Sequence, residues 1–445
     1  MWGAVKRAVF EAKARLFMRA DRRALAQMLQ DERQTAADAA ALAAARSAEL
    51  ALHAFRTTAF YREHYTSAGF SEADVAQPEN FVALPALTKP MLQDAGDALI
   101  SSTSEARDRL PSRTGGSTGR PLLVYNDRTA PTAALWWRVY SWWGVHPADD
   151  AAFIYRQSRT GAKKLRYDAE WWPTRHILLD ARGATADTIA AFDREMARVR
   201  PRLLVGYVEG VAEYAAHVAE QGGALRGLAA ISVTASMLHP GQRARIESAL
   251  GAPVFDTYRS AEVPWIAAEC DAHDGLHVLS DRRRVDIVDD DGFPAPAGEV
   301  GTVLVSDFDN RVFPLVRYAI GDRTAVLPGA CACGRTLARI APIDGRIADV
   351  LRTPSGRTVS GGLGGLFNAW PGVVRQFQVH QAADYRVSIR YVVGSDAAAA
   401  AQAAQSVCRT VAGFLANEVE VVAAAVTAVD GTGGKARLVI SEAAT

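Results

Sequence analysis

Two groups of residues have types and spacings that can do chemistry. The first is TGGSTGRP at 114–121. Within it Gly115, Gly116, Ser117, Thr118 and Gly119 fit the G-x-S-x-G form of a nucleophile elbow, which presents a serine on a strained strand-to-helix turn. The same residues suit an anion-binding loop. Glycines let the backbone approach a phosphate and aim N–H groups at it, and Thr114, Ser117 and Thr118 add hydroxyl donors. The second group is made of cysteines and histidines. Cys331 and Cys333 flank one residue, and Cys270 is followed by His273 and His277. Thiolates with an imidazole are the donors of a tetrahedral zinc ion, and a full set of protein ligands leaves no open position, so the role would be structural.

The elements around each group decide between these readings. An elbow serine needs a buried strand directly before it and a helix directly after. SEARDRLPSR, upstream, does not read as a buried strand. RPLLVYND, downstream, is β-prone, has no helical period, and ends in a turn at Asn126-Asp127. The elbow reading fails on both sides and the anion loop stands, although it is no Walker A sequence.

Further out, residues 1–100 read as mostly helical. Residues 149–290 alternate short apolar runs (AAFIY, HILLD, PRLLVGY, AAISVTA, APVFDTY) with helical stretches, the pattern of βαβ units around a parallel or mixed sheet. Residues 276–328 turn strand-rich, with DDDG and PAPAG as turn signals, and predict an antiparallel, β-barrel-like region. Past Gly345-Arg346, about 100 residues hold three strand-like runs around an Ala-rich helix at 396–416. The expected architecture is α/β, with a large N-terminal domain at 1–344 and a small, mobile α+β lid at 345–445.

The totals agree with a globular enzyme. The chain has 445 residues, 49% hydrophobic and 22% charged, with a net charge of +1. That balance, with no basic cluster interleaved with aromatics, excludes a nucleic-acid footprint. No apolar run is long enough for a membrane span. The basic N-terminus lacks the apolar core and cleavage site of a signal peptide, and four cysteines (Cys270, Cys331, Cys333, Cys408) form no disulfide framework. A cytoplasmic location is expected.

Five segments in order carry a resemblance: TGGSTGRP; DTYRSAE at 256–262; PLVRYAIGD at 314–322; CACGR with IDGRIADV; and GTGGKARLVI near the end. Together with the opening HAFRTTAFYREHY, they make the chain resemble the adenylate-forming ligases, most closely the phenylacetate–coenzyme A ligase and CapK-like branch. The likeness spans nearly the whole chain. It implies ATP-dependent activation of a carboxylic acid to an acyl-adenylate with pyrophosphate release, then transfer to coenzyme A, an acid–thiol ligase reaction. An amine or a carrier protein is the alternative acceptor, and a non-catalytic nucleotide- and zinc-binding relative is the alternative class. A homodimer is a further expectation.

The resemblance assigns roles residue by residue. Glu262 would hold Mg²⁺ on the phosphates, because a hard ion takes oxygen ligands. Residues Thr114 to Gly119, Asp256, Tyr258, Arg259 and Ser260 would line the ATP or AMP site, with Tyr258 against adenine. Asp322 would accept from the ribose hydroxyls, and Arg346 at the hinge would touch ribose or phosphate. Lys435 would neutralise charge as the carboxylate closes on the α-phosphate, and leave with the lid before transfer. Zinc would take Cys270, Cys331, Cys333 and His277, the histidine that the family keeps, with His273 as second choice. Trp137 and Tyr140, on one predicted helix beside Trp136, and Gly206-Tyr207 at a strand end are the candidates for an acyl pocket suited to an aromatic or hydrophobic acid.

The sequence also departs from the family. Arg259 stands in place of a glycine, Arg120 of a frequent lysine, and Ser236 of a common glutamate. Ala348 replaces a first aspartate at the hinge, and RTPSGR lacks the R-R-G-V-N that follows it in phenylacetate ligases.

Overall fold

The computed structural model describes the chain except residues 1, 115–121, 156, 182–184, 224, 347–349, 357, 361–362, 364–365, 368, 371, 395, 430, 433–434, 437 and 444–445. Helices dominate residues 2–95, with Thr35 and Thr58 accepting hydrogen bonds at the starts of Ala36–Thr57 and Ala59–Ser67. A two-stranded hairpin follows, β1 (Arg109–Thr114) against β2 (Leu122–Asp127). The segment ahead of the glycine-rich stretch does not read as a buried strand. The structure has a strand there, β1, but its residues with described side chains are exposed or half-buried, because its partner is a lone β2 rather than a covered sheet. No helix follows 115–121 before β2, so the elbow context is absent.

The parallel sheet is built from β3 (Ala151–Tyr155), β4 (His176–Asp180), β5 (Leu203–Tyr207), β6 (Ala230–Thr234) and β7 (Val254–Tyr258), in the order β4-β3-β5-β6-β7. Their sequences are near-continuous apolar runs because helices cover both faces. Gly161–Trp171, Ala186–Val199, Val208–Glu220 and Pro240–Leu250 connect successive strands. Pro240 opens the last of these and Gly251, at φ 68°, closes it in the left-handed region that glycine enters freely. Helix Thr132–Trp142 lies over the other face, packing Leu135, Val139 and Trp143 with Leu203, Val205 and Phe255.

From β7 the sheet continues antiparallel. β8 (Ala267–Glu269) and β9 (Leu276–Val278) lead through β13 (Arg339–Ile340) to β12 (Tyr318–Leu327), then β11 (Val300–Asp307) and β10 (Arg283–Val288). The β-barrel-like region expected at 276–328 is this antiparallel half. β10 and β11 pair as the hairpin that the turn signals predict. β14 (Gly345–Arg346) pairs with β12 beside the main path, placing Arg346 opposite Asp322.

The C-terminal residues form a second sheet with its own core. β17 (Val374–Gln381) and β18 (Val387–Val393) are antiparallel, and β19 (Val421–Ala425) and β22 (Val439–Ser441) add to the edges in parallel. Helix Ala397–Phe414 packs Ala400, Ala403, Val407 and Val411 against Val379 and Ile389. Two short ladders complete it: β15 (Val350–Arg352) with β16 (Thr358–Ser360), and β20 (Gly431–Thr432) with β21 (Lys435–Ala436). Among the described residues no helix is long and apolar enough to cross a membrane.

Candidate active site

In an open α/β sheet, ligands meet the carboxyl ends of the parallel strands. Here that edge carries Tyr155 at the end of β3, Tyr207 at the end of β5 and Tyr258 at the end of β7, followed by Arg259-Ser260-Ala261-Glu262. The turn after β7 is closed locally: the Ser260 N–H donates to the Val263 carbonyl at 3.1 Å, and the Val263 N–H donates to Ser260 Oγ at 2.9 Å. Glu262 is buried, and no hydrogen-bond or ion-pair partner of its carboxylate occurs among the described residues.

Tyr258 turns toward the antiparallel half. Its hydroxyl donates to Asp322 Oδ2 at 2.8 Å, and both side chains are buried. Asp322 faces Arg346 across the β12–β14 ladder. Three segments far apart in sequence, 256–262, 314–322 and 345–346, therefore converge at one place. Arg259, next in the chain, turns the other way: its guanidinium donates to Tyr155 Oη at 3.0 Å and lies 4.5 Å over the Trp265 ring.

Asp256 lies two positions before Tyr258 in β7. Its backbone N–H donates to Glu269 Oε2 at 2.8 Å, and Arg243 holds Glu269 in a fork at 2.7 and 2.8 Å. Burial first, and then the Glu269 carboxylate, push the Asp256 carboxyl up to about 7.

No protein-family profile matches the sequence. The chain is 28% identical over 315 residues to the phenylacetate–coenzyme A ligase of Escherichia coli, covering 67% of this chain and 69% of that one. Over 113 residues it is 35% identical to the Thermus thermophilus enzyme of the same name, a match that spans only 25% of that relative's length. Its fold is similar to that of 2-hydroxyisobutyryl-CoA ligase in the postadenylation state in complex with 2-HIB-AMP. That likeness has a TM-score of 0.75 at 21% identity, over 93% of this chain and 91% of the other. The chain is thus similar in sequence to phenylacetate–coenzyme A ligases and in fold to a coenzyme A ligase.

The cysteine–histidine set is gathered in the structure. The donor atoms of Cys270, His277, Cys331 and Cys333 all lie within 4.8 Å of one another. Cys270 Sγ and Cys331 Sγ are 3.7 Å apart, and Cys333 Sγ is 3.3 Å from His277 Nε2. A zinc tetrahedron with bonds of about 2.3 Å to sulfur has edges of about 3.8 Å, so the spacing fits. His277 Nδ1 faces the Leu337 carbonyl at 3.4 Å, the backing interaction that turns Nε2 toward a metal. Burial raises the Cys270 thiol, which disfavours thiolate unless a cation joins it, and takes His277 down to about 4, which favours the neutral imidazole that binds metals. His273, the second choice from sequence, is elsewhere: it stacks on Phe255 and faces Glu269 Oε2 at 3.3 Å.

The aromatic candidates separate. Tyr140 packs edge-on to Trp265 and against Trp143, and Tyr207 packs edge-on to Tyr155, so both belong with the Arg259 surroundings. Trp137 does not. It is buried against Phe10 and Ala148, with its ring 5.7 Å from Phe10, because this side of its helix is covered by the N-terminal helix Trp2–Phe17. Gly206 also answers to packing: a Cβ there would stand 2.7 Å from Val211 Cγ2 and 3.0 Å from the Ile154 carbonyl, with the following helix pressed against the sheet.

Gly115, Gly116, Ser117, Thr118 and Gly119, with Arg120, lie outside the described residues. Thr114, Arg346 and Lys435 are described in backbone only, Lys435 opposite Thr432 in the β20–β21 hairpin. Tyr155 and Trp265 were missed from sequence. The signal for Tyr155 was its place at the carboxyl end of a parallel strand. Trp265 had no such signal.

Proposed function

We propose that this protein activates a carboxylic acid with ATP and passes the acyl group to the thiol of coenzyme A. The Tyr258–Asp322 hydrogen bond carries the reading, because it joins two motif segments at the carboxyl edge of the sheet. In the first step a carboxylate oxygen attacks the α-phosphorus, the bond from that phosphorus to the bridging oxygen breaks, and pyrophosphate leaves. In the second, the thiolate attacks the acyl carbon and AMP leaves.

Attack of one anion on another makes the catalysis a matter of position and charge. Asp322, which accepts from Tyr258, is a carboxylate suited to ribose hydroxyls, and Tyr258 offers its ring to adenine. Residues 114–119 would wrap the phosphates with N–H and hydroxyl donors. Glu262 suits Mg²⁺: it is a buried carboxylate with no described partner, and the ion when bound neutralises phosphate charge. Residues 1–344 would form the adenylating body and 345–445 a lid that carries Lys435 to the carboxylate and away again.

Cys270, His277, Cys331 and Cys333 would hold a structural zinc ion that ties two distant loops. Free cysteines suit a reducing compartment, and we place the protein in the cytoplasm. The hinge departures at Ala348 and RTPSGR favour testing an amine acceptor beside coenzyme A. The deciding experiment is acid-dependent exchange of pyrophosphate into ATP, followed by product analysis with each acceptor. Exchange that Lys435→Ala abolishes is expected. Silence across aryl, fatty and hydroxy acids overturns the reading.

A further inference from the structure

Arg259 replaces a glycine of the family pattern, and its side chain fills the space that the glycine would leave open. The guanidinium is stacked on Trp265 at 4.5 Å and bonded edge-on to Tyr155 Oη at 3.0 Å, with Tyr140 and Tyr207 packed around those two rings. Aromatic faces and a neutral hydroxyl hold a cation in place, but they do not neutralise it. Among the described residues, no carboxylate lies within ion-pair distance of this guanidinium. Asp256, the nearby acid of β7, interacts first with Glu269 and Arg243 and only weakly with Arg259, with which it makes no ion pair. Arg259 is half-buried, and a partly desolvated charge with no ion-pair partner suits a site where a ligand brings the missing charge.

The platform is itself strained. Trp265 has φ 55°, and Ala235, beyond the end of β6 at the same edge, has φ 75°. Left-handed backbone is a genuine outlier for a bulky aromatic residue and gathers at ligand clamps. Tyr258 and Arg259 are consecutive at and just beyond the end of β7, and their side chains part there. Tyr258 reaches Asp322 in the antiparallel half, and Arg259 reaches Tyr155 in the parallel half. The sequence reading grouped Arg259 with the nucleotide contacts; the rings around it include Tyr140 and Tyr207, two of the candidates for the acyl pocket.

We infer that the acid activated by this protein is a dicarboxylic acid, whose second carboxylate docks on Arg259 while the first reacts. The inference rests on the adenylating reading above. Trp265 covers one face of the guanidinium and leaves its edge for two coplanar N–H···O bonds, the geometry in which arginine takes carboxylates. Tyr155 and Trp265 position that edge.

The test compares matched pairs in the pyrophosphate-exchange assay: butanoate with succinate, hexanoate with adipate, and phenylacetate with 4-carboxyphenylacetate. In at least one pair the diacid should exceed its monoacid in kcat/KM by about 100-fold, since a site built for a polar group rejects the analogue that lacks it. Arg259→Gly should bring that ratio close to unity, chiefly through KM for the diacid, and Arg259→Lys should give an intermediate ratio. Should the glycine variant fail to fold, the wild-type ratio and the lysine variant decide. Exchange with monoacids as good as or better than diacids in every pair overturns the inference and leaves the ligase reading intact. Absence of exchange with every acid overturns both.

Discussion

Asp256 shows how a residue of a binding motif can also be a source of instability. Its carboxyl is pushed up to about 7 by burial and by Glu269, so the folded chain holds a proton that the unfolded chain has released. Between the unfolded value near ~4 and the folded one, the native state binds more protons, and stability falls as pH rises through that window. Asp256→Asn should therefore stabilise the protein at pH 8 and much less at pH 5, as read from denaturant midpoints at the two pH values. An unchanged pH dependence in the variant would remove Asp256 as its origin. At this scale the motif residues were legible in the sequence, because Glu262, Tyr258 and Asp322 are fixed by their neighbours in short fixed-spacing strings. Arg259 was legible only as a departure. Its letter is plain, but the aromatic rings it meets come from β3 and from the loop beyond Glu262, and no local pattern joins them.

Elements decide the fate of Trp137 and Gly206. Helical spacing put Trp137 and Tyr140 on one helix correctly, yet periodicity does not say which neighbour covers which side; the N-terminal helix takes Trp137. Gly206 ends a strand, as expected, but the space above it is filled by Val211. Gly206→Ala should cost about 1–3 kcal/mol by overpacking, measured by chemical unfolding. A neutral result would mean that the helix Val208–Glu220 shifts freely over β5. The loops at 270–277 and 331–333 make the second prediction at this scale. About one zinc ion per chain should copurify, and either chelation or Cys331→Ser should release it and lower the melting temperature. Full stability and activity in a metal-free preparation would show that the thiols suffice alone. The tie extends further, because the Thr336 N–H donates to the Glu32 carbonyl at 3.0 Å and Trp142 Nε1 donates to Glu32 Oε2 at 3.0 Å. The cluster thereby braces the end of an N-terminal helix as well as two loops.

For the whole molecule, the order of elements was readable from alternating apolar runs and turn residues, and the C-terminal strands and Ala-rich helix fell where they were expected. The union of the parallel and antiparallel halves into one sheet was not, since β13 and β14 are two-residue strands that carry no periodicity. The proposed lid gives the prediction at this scale. Lys435→Ala should lower pyrophosphate exchange by about 100-fold or more, as loss of a charge aimed at the transition state does. Transfer from a preformed acyl-adenylate should fall far less, which single-turnover assays of the two steps would separate. Equal losses in both would tie Lys435 to a task common to the two half-reactions.

Asp322 and Arg346 face each other across neighbouring strands, which run about 4.8 Å apart. In any rotating body, travel grows with distance from the axis. A swivel just beyond Arg346 would carry the far sheet across many ångströms while the carboxylate of Asp322 stays nearly still. The sugar of the nucleotide would then be gripped at the quiet centre of the motion, so that the enzyme could exchange its tools without setting down the work.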